Sequence, residues 1–101
     1  MSVHADLAGD GKNVTINVSG RFDFGSHQDF RKAYEQVDRG GGQYVVNMAQ
    51  AEYMDSSALG MLLMLREHAG GDTANIKITN CREEIRNVLT IANFQKLFKI
   101  D

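Results

Sequence analysis

Two serines at the mouth of an apolar run are the residues best placed to do chemistry. In Tyr53-Met54-Asp55-Ser56-Ser57-Ala58-Leu59-Gly60-Met61-Leu62-Leu63-Met64-Leu65, the side-chain oxygens of Asp55 and Ser56 suit a helix N-cap, accepting hydrogen bonds from the free amides of a first turn. The helix is expected to begin at Asp55 or Ser56. Capping alone would explain the hydroxyls. Free amides and the positive end of the helix dipole also favour a dianion there, so a phosphoryl group on Ser56 or Ser57 need not unfold the helix. The modification adds about −1.5 to −2 charges beside an apolar surface. If a partner covers that surface, a penalty of ~3 kcal/mol weakens binding roughly a hundredfold. The serine is then a substrate for another enzyme and not a nucleophile.

Other chemistries fit less well. A catalytic triad needs a histidine against the serine, and the candidates are His4, His27 and His68. His68 lies on the same helix as Ser57 but roughly 16 Å along the axis at 1.5 Å rise per residue. His27 starts a neighbouring helix, where a solvated helix-end histidine is the common case. Three dispersed histidines and the lone Cys81 offer no metal set, and no cofactor is expected. Gly40-Gly41-Gly42 follows a helix and lacks the Gly-x-x-x-x-Gly-Lys-Ser/Thr phosphate cradle. The Asp-Ser-x-x-Leu order is shared with phosphopantetheine carriers, but those are four-helix bundles and this chain carries strand alternation.

The positioning elements follow from periodicity. Val3 to Leu7 reads as a strand, Gly9-Asp10-Gly11-Lys12-Asn13 as a turn, and Asn13 to Gly20 alternates strictly, the mark of a half-buried strand. Gly20-Arg21-Phe22-Asp23-Phe24-Gly25 leads to Ser26, a candidate N-cap, and to Phe30, Ala33, Tyr34 and Val37 at helical spacing, stopped by the glycine triplet. Gln43 to Met48 predicts a strand buried on both faces, with Ala49 to Met54 a loop. The helix from Ser56 to about Ala69 is apolar nearly all round in its first turns. It is therefore either sandwiched in a core or presents a face that a partner covers. Asn75 to Cys81 predicts a strand, Arg82 to Asn93 a helix capped by Asn80 or Thr79, with Ile85, Val88, Leu89 and Ala92 inward, and Lys96 to Asp101 a last short strand. The order is ββαβαβα(β), an α/β fold with a mixed sheet of four to five strands flanked by about three helices, in a single domain over residues 1–101. Loops after the carboxyl ends of strands gather on one edge, which brings Asp23 close to Asp55, Ser56 and Ser57.

Eleven basic and 13 acidic residues give a net charge of −2, no footprint for nucleic acid or anionic lipid, so the expected partners are proteins. With 43% hydrophobic residues and no proline, order throughout is expected. Neither a leader nor a membrane span is visible, and a cytoplasmic location is expected.

Met54-Asp55-Ser56-Ser57-Ala58-Leu59-Gly60 resembles the Asp-Ser-Ser-Gly-Leu-Gly phosphorylation motif of STAS domains of the bacterial anti-sigma factor antagonist family. Gly20-Arg21-Phe22-Asp23 is similar to that family's Gly-x-Leu/Phe-Asp, and Asn93 to Ile100 to its terminal Leu-x-x-x-Phe-x-Ile. The resemblance implies a non-enzymatic partner-switching regulator of transcription. Ser57, or failing it Ser56, would be phosphorylated by an anti-sigma-type serine kinase and restored by a metal-dependent serine phosphatase. Unphosphorylated, the chain would hold the kinase or another switch partner; phosphorylated, it would release it. Asp55 would position the hydroxyl, and Asp23, Asp55, Ser56, Ala58, Leu59, Met61 and Leu62 would form the partner-binding surface. Ala58 replaces the usual glycine. The chain stops at Ile100-Asp101 without the final helix of many members, so an open surface for a homodimer or partner is expected. The alternative is a constitutive protein-interaction or small-ligand-sensing STAS module in which the serines only cap.

Overall fold

The alternation that marks Val14 to Val18 as a half-buried strand runs through the whole sheet of the computed structural model, which describes residues 3–7, 13–36 and 42–101. Five strands lie side by side in chain order: β1 (Val3–Leu7), β2 (Val14–Phe22), β3 (Gln43–Met54), β4 (Asn75–Thr79) and β5 (Lys99–Ile100). β1 is antiparallel to β2, and each later pair is parallel. The parallel pairs are joined through α1 (His27–Glu35), α2 (Ser56–His68) and α3 (Glu83–Ile91). The turn at Gly9 to Lys12, Val37, and the glycines Gly40 and Gly41 lie outside the described residues.

Right-handed crossovers that always step in the same direction lay their helices on the same face of a sheet. Burial follows that geometry. Ile16, Val18, Tyr44, Val46, Met48 and Ile78 point into one apolar cluster with Phe30 and Tyr34 of α1, Ala58, Met61, Leu62 and Leu65 of α2, and Ile85 and Leu89 of α3. β3 is therefore not buried on both faces as its composition predicts: Tyr44, Val46 and Met48 are buried, while Val45 and Asn47 are partly exposed on the uncovered side. Nor is Ala49 to Met54 a loop. β2 runs on to Phe22 and supplies pairing partners for it, ending at Arg21↔Tyr53 and Phe22↔Met54. β3 is the longer strand here and takes up the surplus in two bulges, one between Asn17 and Ser19 and one between Gly20 and Arg21. Gly20 has φ +68, a left-handed conformation that glycine adopts without a Cβ penalty.

The uncovered face carries a row of side-chain hydrogen bonds across four strands' width. Asn80 Nδ2 donates to Asn47 Oδ1, Asn47 Nδ2 to Asn17 Oδ1, and Asn17 Nδ2 to Asp6 Oδ2, each at 2.9 Å. His4 Nε2 lies 3.0 Å from Asp6 Oδ1. Asn80, expected as a cap for the third helix, is instead a rung of this row with φ +58; Arg82 occupies the N-cap of α3 without a side-chain cap bond.

Burial separates adjacent leucines of α2. Leu62 is 0% exposed and Leu63 40%. In urea unfolding, Leu62→Ala is expected to cost about 2–5 kcal/mol, the range for a buried leucine truncated to leave a cavity, whereas Leu63→Ala is expected to cost less than about 1 kcal/mol. Equal losses would contradict this packing.

Candidate functional site

α2 begins at Ser56 because Asp55 caps it. Asp55 is extended (φ −112, ψ −176), and its Oδ1 accepts from the amides of Ser57 at 3.0 Å and Ala58 at 3.2 Å. The same oxygen accepts from Ser57 Oγ at 2.6 Å, a short charge-assisted bond that fixes the hydroxyl. The Asp55 amide donates to Phe22 O at 3.4 Å, tying this start to the end of β2. Ser56 is exposed and Ser57 partly buried.

Across the sheet edge, Asp23 caps the 3-10 turn Phe24–Ser26 by accepting from the Gly25 amide at 3.0 Å. Ser26 does sit at the N-cap of α1, but its hydroxyl makes no cap bond; buried, it donates to Arg21 O at 3.2 Å. Arg21 Nε donates to Asp23 Oδ2 at 3.3 Å, and its guanidinium lies 4.1 Å from the centre of the Tyr53 ring. Arg21 and Tyr53 meet because the second bulge sets them opposite one another; without the extra residue Arg21 would face Glu52. The strand ends thus bring Asp23, Asp55, Ser56 and Ser57 to one edge, with Arg21 and Tyr53 among them.

The structure revises the expected partner surface. Ala58 and Leu62 are 0% exposed and Met61 3%, because they form the inner side of α2 against the sheet, and Leu59 is half-buried. Ala58, Met61 and Leu62 belong to the apolar core, and Leu59 packs against it. The large apolar residues that reach solvent on the two strand ends and on α2 are Phe24, Tyr53, Leu63 and Met64. Phe24, 73% exposed, stacks on His27 with ring centres 5.7 Å apart. Sequence reasoning missed Leu63 and Met64 as outward residues because a helix apolar on both sides gives no inward direction; they face out because Ala58, Met61, Leu62 and Leu65 join the core. His68 lies at the far end of α2, against the rings of Tyr34 and Tyr44. Among the described residues no three His, Cys, Asp or Glu are grouped to hold a metal, and no helix is long and apolar enough to cross a membrane.

The Asp55 carboxyl is held below the ordinary carboxylate range, first by the Ser57 hydroxyl, then by the amides of Ala58 and Ser57 and the charge of Arg21, against an opposing push from burial. A carboxylate depressed on folding contributes stability that is complete above its unfolded value and is lost as pH falls through the folded value. Ser57→Ala removes the largest cause. Its Asp55 carboxyl carbon, followed by NMR, is expected to titrate at higher pH than in the parent, so this group loses less stability on acidification and the loss is complete at a higher pH. Asp55→Ala, which also removes the cap, is expected to cost about 0.5–2 kcal/mol in urea unfolding at neutral pH. An Asp55 titration unmoved by Ser57→Ala would sink the assignment of the bond.

Residues 5–99 match the family described as Mlab, STAS domain. A STAS-domain containing protein of Pseudomonas aeruginosa (strain UCBPP-PA14) is 55% identical over 100 residues, 99% of this chain and 99% of that one. Two solved structures share the fold at low identity. The anti-sigma factor antagonist SpoIIAA in its unphosphorylated form aligns over 98% of this chain and 86% of its own, at 17% identity and TM-score 0.72. The Bacillus cell fate determinant SpoIIAA in the phosphorylated form aligns over 98% and 90%, at 16% identity and TM-score 0.67. The mixed five-stranded sheet with three helices is therefore the anti-sigma factor antagonist fold that the sequence motif implies. With the family match running along nearly all of its residues, and more than half of its positions shared with a STAS relative, the chain belongs to the STAS domain family.

Proposed function

We propose that this STAS domain is a partner-switching regulator without catalytic activity of its own, with Ser57 as its phosphorylation site. The observation that carries the reading is the 2.6 Å bond from Ser57 Oγ to the Asp55 carboxylate, at the first turn of a 13-residue helix and beside exposed apolar side chains. The bond aims the hydroxyl and leaves it against a carboxylate, where a serine kinase of the anti-sigma type transfers the γ-phosphoryl group of ATP to Oγ. The Oγ–H bond breaks, an Oγ–P bond forms, and ADP and a proton leave. A metal-dependent serine phosphatase reverses the state by hydrolysis, releasing inorganic phosphate.

The physical effect is local. Phosphorylation removes the proton that Ser57 donates to Asp55 and adds two units of negative charge, at most, to an edge that already holds Asp23 and Asp55. A partner that packs on Phe24, Tyr53, Leu63 and Met64 must then desolvate that charge, and it leaves. The related fold of SpoIIAA, solved in unphosphorylated and phosphorylated forms, supports a switch that keeps the fold intact.

The reading is tested in cells that express the chain natively. Phosphopeptide mass spectrometry is expected to find phosphate on Ser57. A kinase-like partner is expected to bind Ser57→Ala at least about tenfold more tightly than Ser57→Asp, measured with the purified pair; aspartate carries less charge than phosphate and understates the effect. Ser57 unmodified under all growth conditions, with both variants binding alike, would return the chain to a constitutive interaction module.

A further inference from the structure

The site contains a cation that the reading above does not use. Among residues 19–30 and 49–60, which make up the strand ends and loops of this edge, Arg21 is the one lysine or arginine, set among Asp23, Asp29, Glu52 and Asp55. Its side chain is 66% exposed, paired with Asp23 and stacked on Tyr53, so it is oriented without being buried. Arg21 pairs with Tyr53 two residues before Asp55, the Asp55 amide donates to the carbonyl of the next residue, Phe22, and Asp55 Oδ1 lies 2.6 Å from Ser57 Oγ.

A guanidinium uses two different surfaces for its two contacts. The flat face stacks on an aromatic ring, while the N–H edge makes hydrogen bonds in the plane. Arg21 can therefore turn its edge from one acceptor to another without leaving Tyr53. Phosphorylated Ser57 supplies a stronger acceptor than Asp23, with more charge and three terminal oxygens in a geometry that matches the guanidinium fork. It also needs a counter-charge, because the Asp55 carboxylate that accepted the hydroxyl proton now faces an ester oxygen.

Resting on the assignment of Ser57 as the phosphorylated residue, we propose that Arg21 is a positioning residue for the phosphorylated state. It exchanges its ion pair with Asp23 for the phosphoryl group on Ser57 and keeps its face on Tyr53. The exchange does two things at once. It holds the phosphate at the edge of the apolar surface, and it strips Asp23 of its cation, so the rim presents a freed carboxylate where the unphosphorylated chain presents a closed pair. The released partner meets two changes from one modification.

The test uses the full chain with phosphoserine inserted at position 57 during translation, so that neither a kinase nor a partner is needed. Phosphorus NMR then follows the second ionisation of the phosphate against pH. Asp23, Glu52 and Asp55 on the strand ends and His27 and Asp29 on α1 are the other titratable groups at this edge, and each comparison is repeated with His27→Gln to separate the imidazole. Arg21→Gln is expected to raise the phosphate ionisation by about one pH unit, the low end of what an opposite charge within reach does. Arg21→Lys is expected to restore most of that shift, and Arg31→Gln, which removes a guanidinium paired with Glu35 on α1, to leave it unchanged. Arg21→Gln shifting the phosphate by less than about 0.2 unit, or Arg31→Gln shifting it as much, would overturn the proposal. Either result leaves the partner switch standing. Conversely, a partner indifferent to Ser57 sinks the switch and leaves the titration difference intact.

Discussion

One carboxylate oxygen joins the parts of this molecule that matter most. Asp55 Oδ1 receives two amides of the first turn of α2 and the Ser57 hydroxyl, while its own backbone amide reaches Phe22 O at the end of β2. The amides of a helix start must be satisfied by something. Supplying that from the residue that leaves β3 fixes where the strand stops, where the helix starts and which way Ser57 points. The second loop of the edge repeats the device: Asp23 leaves β2, caps the turn after it and holds Arg21. Two aspartates in equivalent places on parallel strands therefore build one edge.

The one-sided sheet decides what that edge can present. Strands that follow one another in order keep all three helices on one face, so α2 has a core side and an outer side even though its sequence is apolar on both. Ala58, Met61, Leu62 and Leu65 fill the core side. Leu63 and Met64 are left outward, along with Phe24 and Tyr53 from the two loops. Gly60 belongs to the same outer side, and a Cβ placed there would meet nothing within 4 Å. The surface downstream of Ser57 is flat at that point for lack of a side chain, not through crowding. Apolar area on the helix that carries Ser57 is what would make the charge of the proposed phosphoryl group consequential.

Much of this was legible in the residues. Strict alternation marked β2, the Asp-Ser-Ser cap marked the start of α2, and the order of elements, with the motif's resemblance, led to the mixed sheet. The failures have physical causes. A strand whose inner face is Tyr44, Val46 and Met48 and whose outer face includes Val45 reads as buried throughout, because one outward valine erases the alternation. Ala49 to Met54 lost its period to the bulges, which displace side chains by a residue wherever they occur. The outward leucine and methionine of α2 depend on tertiary placement, which local pattern does not carry. Arg21 stood within the recognised Gly-Arg-Phe-Asp, yet its meeting with Tyr53 is a matter of register and needed the structure.

The amide row on the open face has a sense of direction. From Asn80 through Asn47 and Asn17, every rung gives a proton toward β1, and the series terminates on Asp6, a carboxylate with nothing to give. Apolar packing aligns the strands from the helix side only, and it tolerates small slides because one branched side chain resembles another. The amides do not: a slip of one residue would turn each rung toward the core and pull its donor from its acceptor. The sheet is thus indexed twice, by shape on the covered face and by polarity on the bare one, where Val45 is a partly exposed apolar residue beside the amides.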